Sequence, residues 1–297
     1  LLNHSTNNNG SKRSASKGAS VGIIVYLFLA SFKLIASYYF HSAALKADGL
    51  NNLSDIISSL TLFIGLLIAK RPADHDHHFG HSKYEPLASF VTSLIMFTIG
   101  FEVLKEGIHR FITHQFLQPN LQSVWVALIS ILILFIAYRY MDQLAKETGS
   151  LGLKASAKDL FSDMLTTVGT SIAILGSSLG FPQIDTFMSL IVACLIIKTA
   201  YDIFSESTFT LSDGFDEEAL RAYKDLILKH PRVEAIPSIR GRLCGSYIYV
   251  DITVEIDRHL SVVESHHITQ EIEQILCYHY GVRDVDVHVE PYYESNE

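Results

Sequence analysis

Two pairs of oxygen-bearing side chains interrupt stretches that are otherwise apolar. Asp48 and Asn52 lie four residues apart in one stretch, Asp159 and Asp163 four apart in another. In a helix, positions i and i+4 stack on one face, with Cβ atoms about 6 Å apart. Two such helices facing each other would set four oxygen ligands around one point. A carboxylate inside a membrane costs several kcal/mol unless it is paired, hydrated or bound to a cation. Three together repel one another, so without a cation some should hold protons. The chemistry implied is exchange of a metal cation for protons. A lone Asp is as readily a helix cap or an interhelical bond, but two i,i+4 pairs in separate spans are poorly explained that way. Asp55, one turn beyond Asn52, reads as a supporting partner or a cap of the site. Asp185 reads as an N-cap. Lys33 is either a counter-ion to this site or a side chain that snorkels to the membrane surface.

A second cluster is the run Asp74-His75-Asp76-His77-His78-Phe79-Gly80-His81, in which six of eight residues are potential metal ligands. Imidazole with carboxylate suits first-row transition metals. The competing reading is a solvated polar loop. A third group, His266, His267, His288 and Glu290, would come together if the helix carrying the first pair packs beside the last strand. Ordinary surface histidines explain it nearly as well.

These residues need a scaffold, and hydropathy supplies one. The chain has 297 residues, 48% of them hydrophobic, and a mean hydropathy of +0.25, which indicates a membrane domain joined to a soluble one. Six stretches are long and apolar enough to cross a bilayer: Val21–Phe40, Lys46–Ala69, Tyr84–Glu106, Gln122–Met141, Leu153–Leu179 and Gln183–Phe204. The second and fifth are the most polar and should line the bundle interior. Lys12, Arg13, Lys17, Lys70, Arg71, Lys83, Arg139, Lys146 and Lys154 fall on one side, which places both termini in the cytoplasm. Arg110 is the exception.

Beyond Ser207 the composition changes, with 17 Asp/Glu against 8 Lys/Arg from Leu211 to Glu297. Asp216–Lys229 has a helical pattern, with Leu220, Tyr223, Leu226 and Ile227 on one face. Ile248, Val250, Ile252, Val254 and Ile256 alternate as in a strand, as do Val285, Val287 and Val289. With a helix over His266–Tyr280 and a strand near Ile236–Leu243, the order is α-β-β-α-β, a two-layer α+β domain. The expected fold is therefore a membrane all-α six-helix bundle followed by a small α+β domain. The boundaries are a disordered cytoplasmic tail over 1–20, a transport domain over 21–207 and a cytoplasmic domain over 208–297.

The formal charge of -8 argues against a nucleic-acid partner. Cys194, Cys244 and Cys277 share no motif spacing and read as reduced packing residues. No cleavable signal peptide is visible, and the chain opens on Leu, so residues upstream are expected to be missing. No His-Glu-x-x-His motif of a zinc protease occurs. The motifs of an intramembrane aspartyl protease are absent around Asp48 and Asp159. No organic cofactor is implied.

The chain resembles the cation diffusion facilitator family of metal–proton antiporters from Val21 to about Pro291. The resemblance rests on Ala47-Asp48-Gly49-Leu50-Asn51-Asn52, on Pro72-Ala73-Asp74 with His77-His78-Phe79-Gly80-His81 and Glu85, and on Lys158-Asp159-Leu160-Phe161-Ser162-Asp163. It implies a homodimer in the cell membrane whose cytoplasmic domains are metallochaperone-like (ferredoxin-like) units. It also implies three metal sites. Asp48, Asn52, Asp159 and Asp163 match the transport site, and Asp74, His77 and His81 the loop site. His266, His288 and Glu290 match ligand positions of the cytoplasmic site. Two histidine positions of zinc-exporting members are Pro237 and Thr253 here. Lys83 and Asp213 match a charge pair that ties the loop to the start of the cytoplasmic domain at the dimer interface.

Zinc-exporting members carry a histidine where this chain has Asp159. An all-oxygen site favours harder cations such as Mn²⁺, whereas imidazole favours Zn²⁺. The pattern resembles the manganese-exporting branch, with Fe²⁺ as runner-up and Zn²⁺ third. The expected function is proton-coupled export of Mn²⁺. A membrane metal sensor that does not transport is the alternative of a different class.

Overall fold

The computed structural model describes residues 5–116, 118–148, 151–245 and 247–293. Six long helices come first: α1 (Ser5–Phe40), α2 (Ala43–Ala69), α3 (Tyr84–Ile112), α4 (Ser123–Thr148), α5 (Leu151–Ser178) and α6 (Gln183–Leu211). All six contain a stretch long and apolar enough to cross a bilayer, that of α1 covering Val21–Phe40. They coincide with the six expected spans and run longer at several ends. Over the expected tail the backbone is helical from Ser5, while residues 1–4 lie outside the described residues. No proline interrupts 5–20, and adding residues to an existing helix gains one hydrogen bond per residue without a new nucleation cost.

The chain divides into two compact units, 1–61 with 92–202 and 62–91 with 203–297. In the first, many large apolar side chains face outward, among them Phe28, Ile35, Trp125, Leu132, Ile172 and Phe187. Polar groups turn inward instead: Lys33, Asp48, Asn52, Ser130, Thr167 and Thr170 are fully buried. That inversion is what hydrocarbon surroundings require. Tyr26 and Leu29 of α1 pack with Leu134 and Met141 of α4 and Leu160 of α5. Small residues bring the helices close. A Cβ on Gly49 would meet Leu34 Cγ at 3.0 Å, so this glycine lets α2 lie against α1 beside Asp48.

Asp185 does not cap its own helix. Its carboxylate reaches across to the start of α2, accepting from Ser42 Oγ at 2.6 Å and from the Ala43 N–H at 2.6 Å. The reason is geometric. The buried N-terminus of α2 presents orphan N–H groups and the positive end of the helix dipole, and Asp185 is the buried anion available there.

In the second unit, α7 (Glu217–Ile227), β1 (Ala235–Cys244), β2 (Tyr247–Asp257), α8 (Val262–Tyr280) and β3 (Asp284–Tyr292) form the expected α-β-β-α-β domain. The sheet order is β1-β2-β3, with β1 antiparallel and β3 parallel to β2. The α8 crossover makes the parallel pairing possible. The alternation of β2 turns Val250, Ile252, Val254 and Ile256 into the core, where they meet Tyr223 and Ile227 of α7 and Ile268, Ile272 and Leu276 of α8. Asp216 caps α7, and Ser261 with Glu264 forms a capping box on α8. Gly281 ends α8 in the left-handed conformation, φ +67°, which costs glycine nothing.

Candidate cation sites

The buried acidic site is assembled by α1, α2 and α5. Tyr26 and Lys33 lie seven residues apart on α1, hence on one face. Asp48, Asn51, Asn52 and Asp55 come from α2, and Asp159, Asp163 and Thr167 from α5. The Lys33 ammonium is 0% exposed. It donates to Asn52 Oδ1 at 2.9 Å and to Thr167 Oγ1 at 2.9 Å. It also lies 2.9 Å from Asp48 Oδ2, at ion-pair distance but without an aligned hydrogen bond, since that oxygen has no hydrogen-bond partner. Of the two readings of Lys33, the counter-ion holds and the snorkelling side chain does not.

Asp163 is held from both sides. Tyr26 Oη donates to its Oδ2 at 2.8 Å, and Asn51 Nδ2 donates to its Oδ1 at 2.9 Å. Thr167, one turn on, donates back to the Asp163 carbonyl at 2.9 Å and lies 3.4 Å from Asp48 Oδ1. Side chains thus join α2 to α5 around Asp48 and Asp163. Asn52 Nδ2 and Asp55 Oδ2 are buried without an aligned hydrogen bond, which leaves them capacity for a water or an ion. Asp159 sits one turn from Asp163 and is exposed. The spacing of the two pairs anticipates four oxygens around one point. In the structure three of the four residues face the Lys33–Thr167 cluster and Asp159 stands outside it. Unscreened carboxylates repel in a low-dielectric interior, and an ammonium between them relieves that repulsion.

Tyr26, Asn51 and Thr167 are the members of this site that sequence reasoning missed. Thr167 continues the 159–163 spacing by one more i+4 step, which is a usable signal. Tyr26 has none beyond its distance of two turns from Lys33.

The second cluster lies in the loop between α2 and α3. One ligand atom from each of Asp74, His77 and His81 falls within 4.8 Å of the others. His77 Nδ1 is 3.2 Å and His81 Nε2 3.3 Å from the Asp74 carboxylate. Asp74 Oδ1 accepts the backbone N–H groups of His77 at 2.8 Å and Asp76 at 3.1 Å. The His77 N–H is the main reason that the Asp74 carboxyl is held below the usual carboxylate range. The buried His81 ring has its Nδ1 3.2 Å from the Pro72 carbonyl. With the proton on Nδ1, that bond leaves the Nε2 lone pair facing Asp74, the arrangement metal-ligating histidines use. Gly80, at φ +80°, makes the turn that returns His81 to Asp74. His75 is fully exposed and lies outside the trio.

Lys83 Nζ meets Asp213 Oδ1 at 2.8 Å, so the expected charge pair forms within one chain. The loop also touches the sheet: the Phe79 ring meets Tyr249 edge-on, and the Arg242 guanidinium lies over Phe79. In the C-terminal domain, His288 Nε2 and Glu290 Oε1 are 3.7 Å apart on one side of β3. His266, on α8, is not gathered with them among the described residues. Thr253 stands opposite His288 in the β2–β3 register.

Six helices able to cross a bilayer, with buried carboxylates and a buried ammonium inside, define a multi-pass membrane protein with a charged interior. The chain belongs to the cation efflux, or cation diffusion facilitator, family of metal exporters. Residues 19–212 match the cation efflux transmembrane domain and residues 215–292 the cation efflux protein cytoplasmic domain. It is 39% identical over 279 residues to the manganese efflux system protein MneS of Bacillus subtilis (strain 168), covering 94% of this chain and 96% of that protein. It is 30% identical over 288 residues to the manganese efflux system protein MneP of the same organism, covering 94% and 97%. The cation-efflux pump FieF of Shewanella oneidensis is 28% identical over 244 residues, covering 82% of each chain. Among solved structures, the copper form of the MamM C-terminal domain is 18% identical, with a TM-score of 0.26, covering 27% of this chain and 80% of that one.

Proposed function

We propose that this protein exports Mn²⁺ in exchange for protons, as a homodimer in the cell membrane with both termini in the cytoplasm. The observation that carries the metal is the chemistry of the buried site: Asp48, Asn52 and Asp163, with Asp159 beside them, offer oxygen and no imidazole. Oxygen ligands suit Mn²⁺, the weakest binder of the divalent series, and a site without nitrogen or sulfur disfavours Zn²⁺ by ligand type. Fe²⁺ comes second and Zn²⁺ third. The relatives named for manganese efflux support Mn²⁺ as the first choice. Proton coupling follows from charge: a divalent cation leaving Asp48, Asp159 and Asp163 uncovers carboxylates that take up protons or repel one another. Residues 21–207 carry transport, and 208–297 form the dimerisation and metal-responsive domain.

The test is flux by the purified protein in proteoliposomes carrying a pH-sensitive dye. Mn²⁺ should move with opposite movement of protons, and Mn²⁺ should outcompete Zn²⁺. Metal movement without any proton signal would remove the exchange, and preference for Zn²⁺ would remove the selectivity.

The loop trio Asp74, His77 and His81 is proposed as a second metal site. His266, His288 and Glu290 are proposed as a third, completed between two copies, since one chain does not bring His266 to the other two. Two acidic domains repel when brought together, and cations bound between them would relieve this. By linkage, closure should raise cation affinity. The isolated segment Leu211–Glu297, which has its own apolar core, should be dimeric and should compact on adding Mn²⁺ or Zn²⁺ in small-angle scattering. An unchanged radius at saturating metal would leave it a dimerisation module only. With Pro237 and Thr253 at the two histidine positions, the response should be less zinc-specific than in zinc-type members.

A further inference from the structure

We infer that Lys33 is a tethered competitor for the transport site, an ammonium that holds the metal's oxygens until Mn²⁺ displaces it. The inference rests on the proposed assignment of Asp48 and Asn52 as transport ligands. The ammonium carries three donors, and all three neighbours at 2.9 Å are oxygens: Asn52 Oδ1, Thr167 Oγ1 and Asp48 Oδ2. Two of these belong to the ligand set. A metal bonded to the same oxygens would lie within about 3 Å of the nitrogen, and two cations so close in a low-dielectric interior repel strongly. Metal and ammonium therefore exclude each other.

The surroundings fit a movable cation better than a static strut. Lys33 has a flexible four-carbon stem, and its contact with Asp48 is an ion pair without an aligned hydrogen bond. Asp55 Oδ2, one turn further along α2, is buried without an aligned hydrogen bond. Asp163 is not a ligand of the ammonium; Tyr26 and Asn51 hold it. The site is thus divided between a half filled by Lys33 and a half left to Asp163.

Two consequences follow. Occupation by Lys33 lowers apparent metal affinity by the fraction of molecules in which the ammonium is displaced. It also speeds release, because the returning ammonium compensates Asp48 as the metal leaves. Lys33 so sets the concentration at which export begins.

The experiment uses the full chain in lipid nanodiscs, titrated with Mn²⁺ by calorimetry, beside Mn²⁺ uptake in proteoliposomes. Binding that depends on Asp163 is isolated by comparison with Asp163→Ala. Lys33→Met keeps the stem and removes the charge; Lys33→Gln also keeps hydrogen bonding toward Asn52 and Thr167. Both should raise Asp163-dependent affinity about tenfold or more, and lower KM and kcat together. Lys33→Arg, which keeps the charge, should stay near the original affinity. A purely structural Lys33 predicts weaker binding in both neutral variants, and unchanged or weaker binding overturns the inference. So does failure of both neutral variants to give monodisperse protein, since Lys33 is then a strut. If the unaltered protein shows no Asp163-dependent binding, the transport-site assignment itself falls and the role of Lys33 falls with it.

Discussion

Asp163→Ala is expected to abolish Mn²⁺ movement and the accompanying proton signal while leaving the protein monodisperse. Asp163 is buried, and both of its oxygens are already oriented, by Tyr26 at 2.8 Å and Asn51 at 2.9 Å. A metal arriving there meets a prepositioned carboxylate with no rotamer entropy left to lose. Loss of a group that merely orients a ligand already costs about 10–100-fold in metal affinity, so loss of the ligand itself should cost about a hundredfold or more. Asp159→Ala should also abolish transport, because it shares the helix face of Asp163. On the proposed assignment, its exposure lets it meet an arriving cation before Asp163 does. Near-normal flux in either variant would end the assignment. Leu29, Leu134, Met141 and Leu160 pack through apolar contacts that neither carboxylate makes, so loss of flux is separable from loss of fold.

Asp159→His should move the preference of transport toward Zn²⁺. The substitution adds an imidazole to an oxygen-only set, and nitrogen ligands favour Zn²⁺ over Mn²⁺. Changes to groups that merely orient a ligand move metal affinity about 10–100-fold. Replacing a ligand should therefore move the Zn²⁺/Mn²⁺ ratio by at least about tenfold. Competition between the two ions in one flux assay reads the ratio directly. Asp159 is the position to change because it is exposed and stands outside the Lys33 cluster. An unchanged ratio would place selectivity in coordination geometry or in Asp55.

How much of this was legible in the sequence depends on the range over which each feature is decided. The six apolar stretches, the β2 alternation from Ile248 to Ile256, and the i,i+4 pairs of oxygen-bearing side chains are local periodicities, set by the rise and twist of one element. The sequence alone determined these, and with them the α-β-β-α-β order. The loop trio was legible for the same reason, since Asp74, His77 and His81 are close along the chain and one glycine closes the turn.

What the tertiary structure alone decided involves partners far apart in sequence. Lys33 could have snorkelled; α1 lies against α2 at Gly49, and that approach turns the ammonium onto Asp48 instead. Asp185 looked like a cap for its own helix; the buried start of α2, 142 residues away at Ala43, claims it. Tyr26 reaches Asp163 across 137 residues. His266 and His288 sit on elements that the local pattern predicts well, yet their separation follows from how α8 lies on the sheet. Spacing along a chain constrains which side chains share a face. Which faces meet, and which charges must neutralise one another inside a low-dielectric interior, is set only when the helices pack.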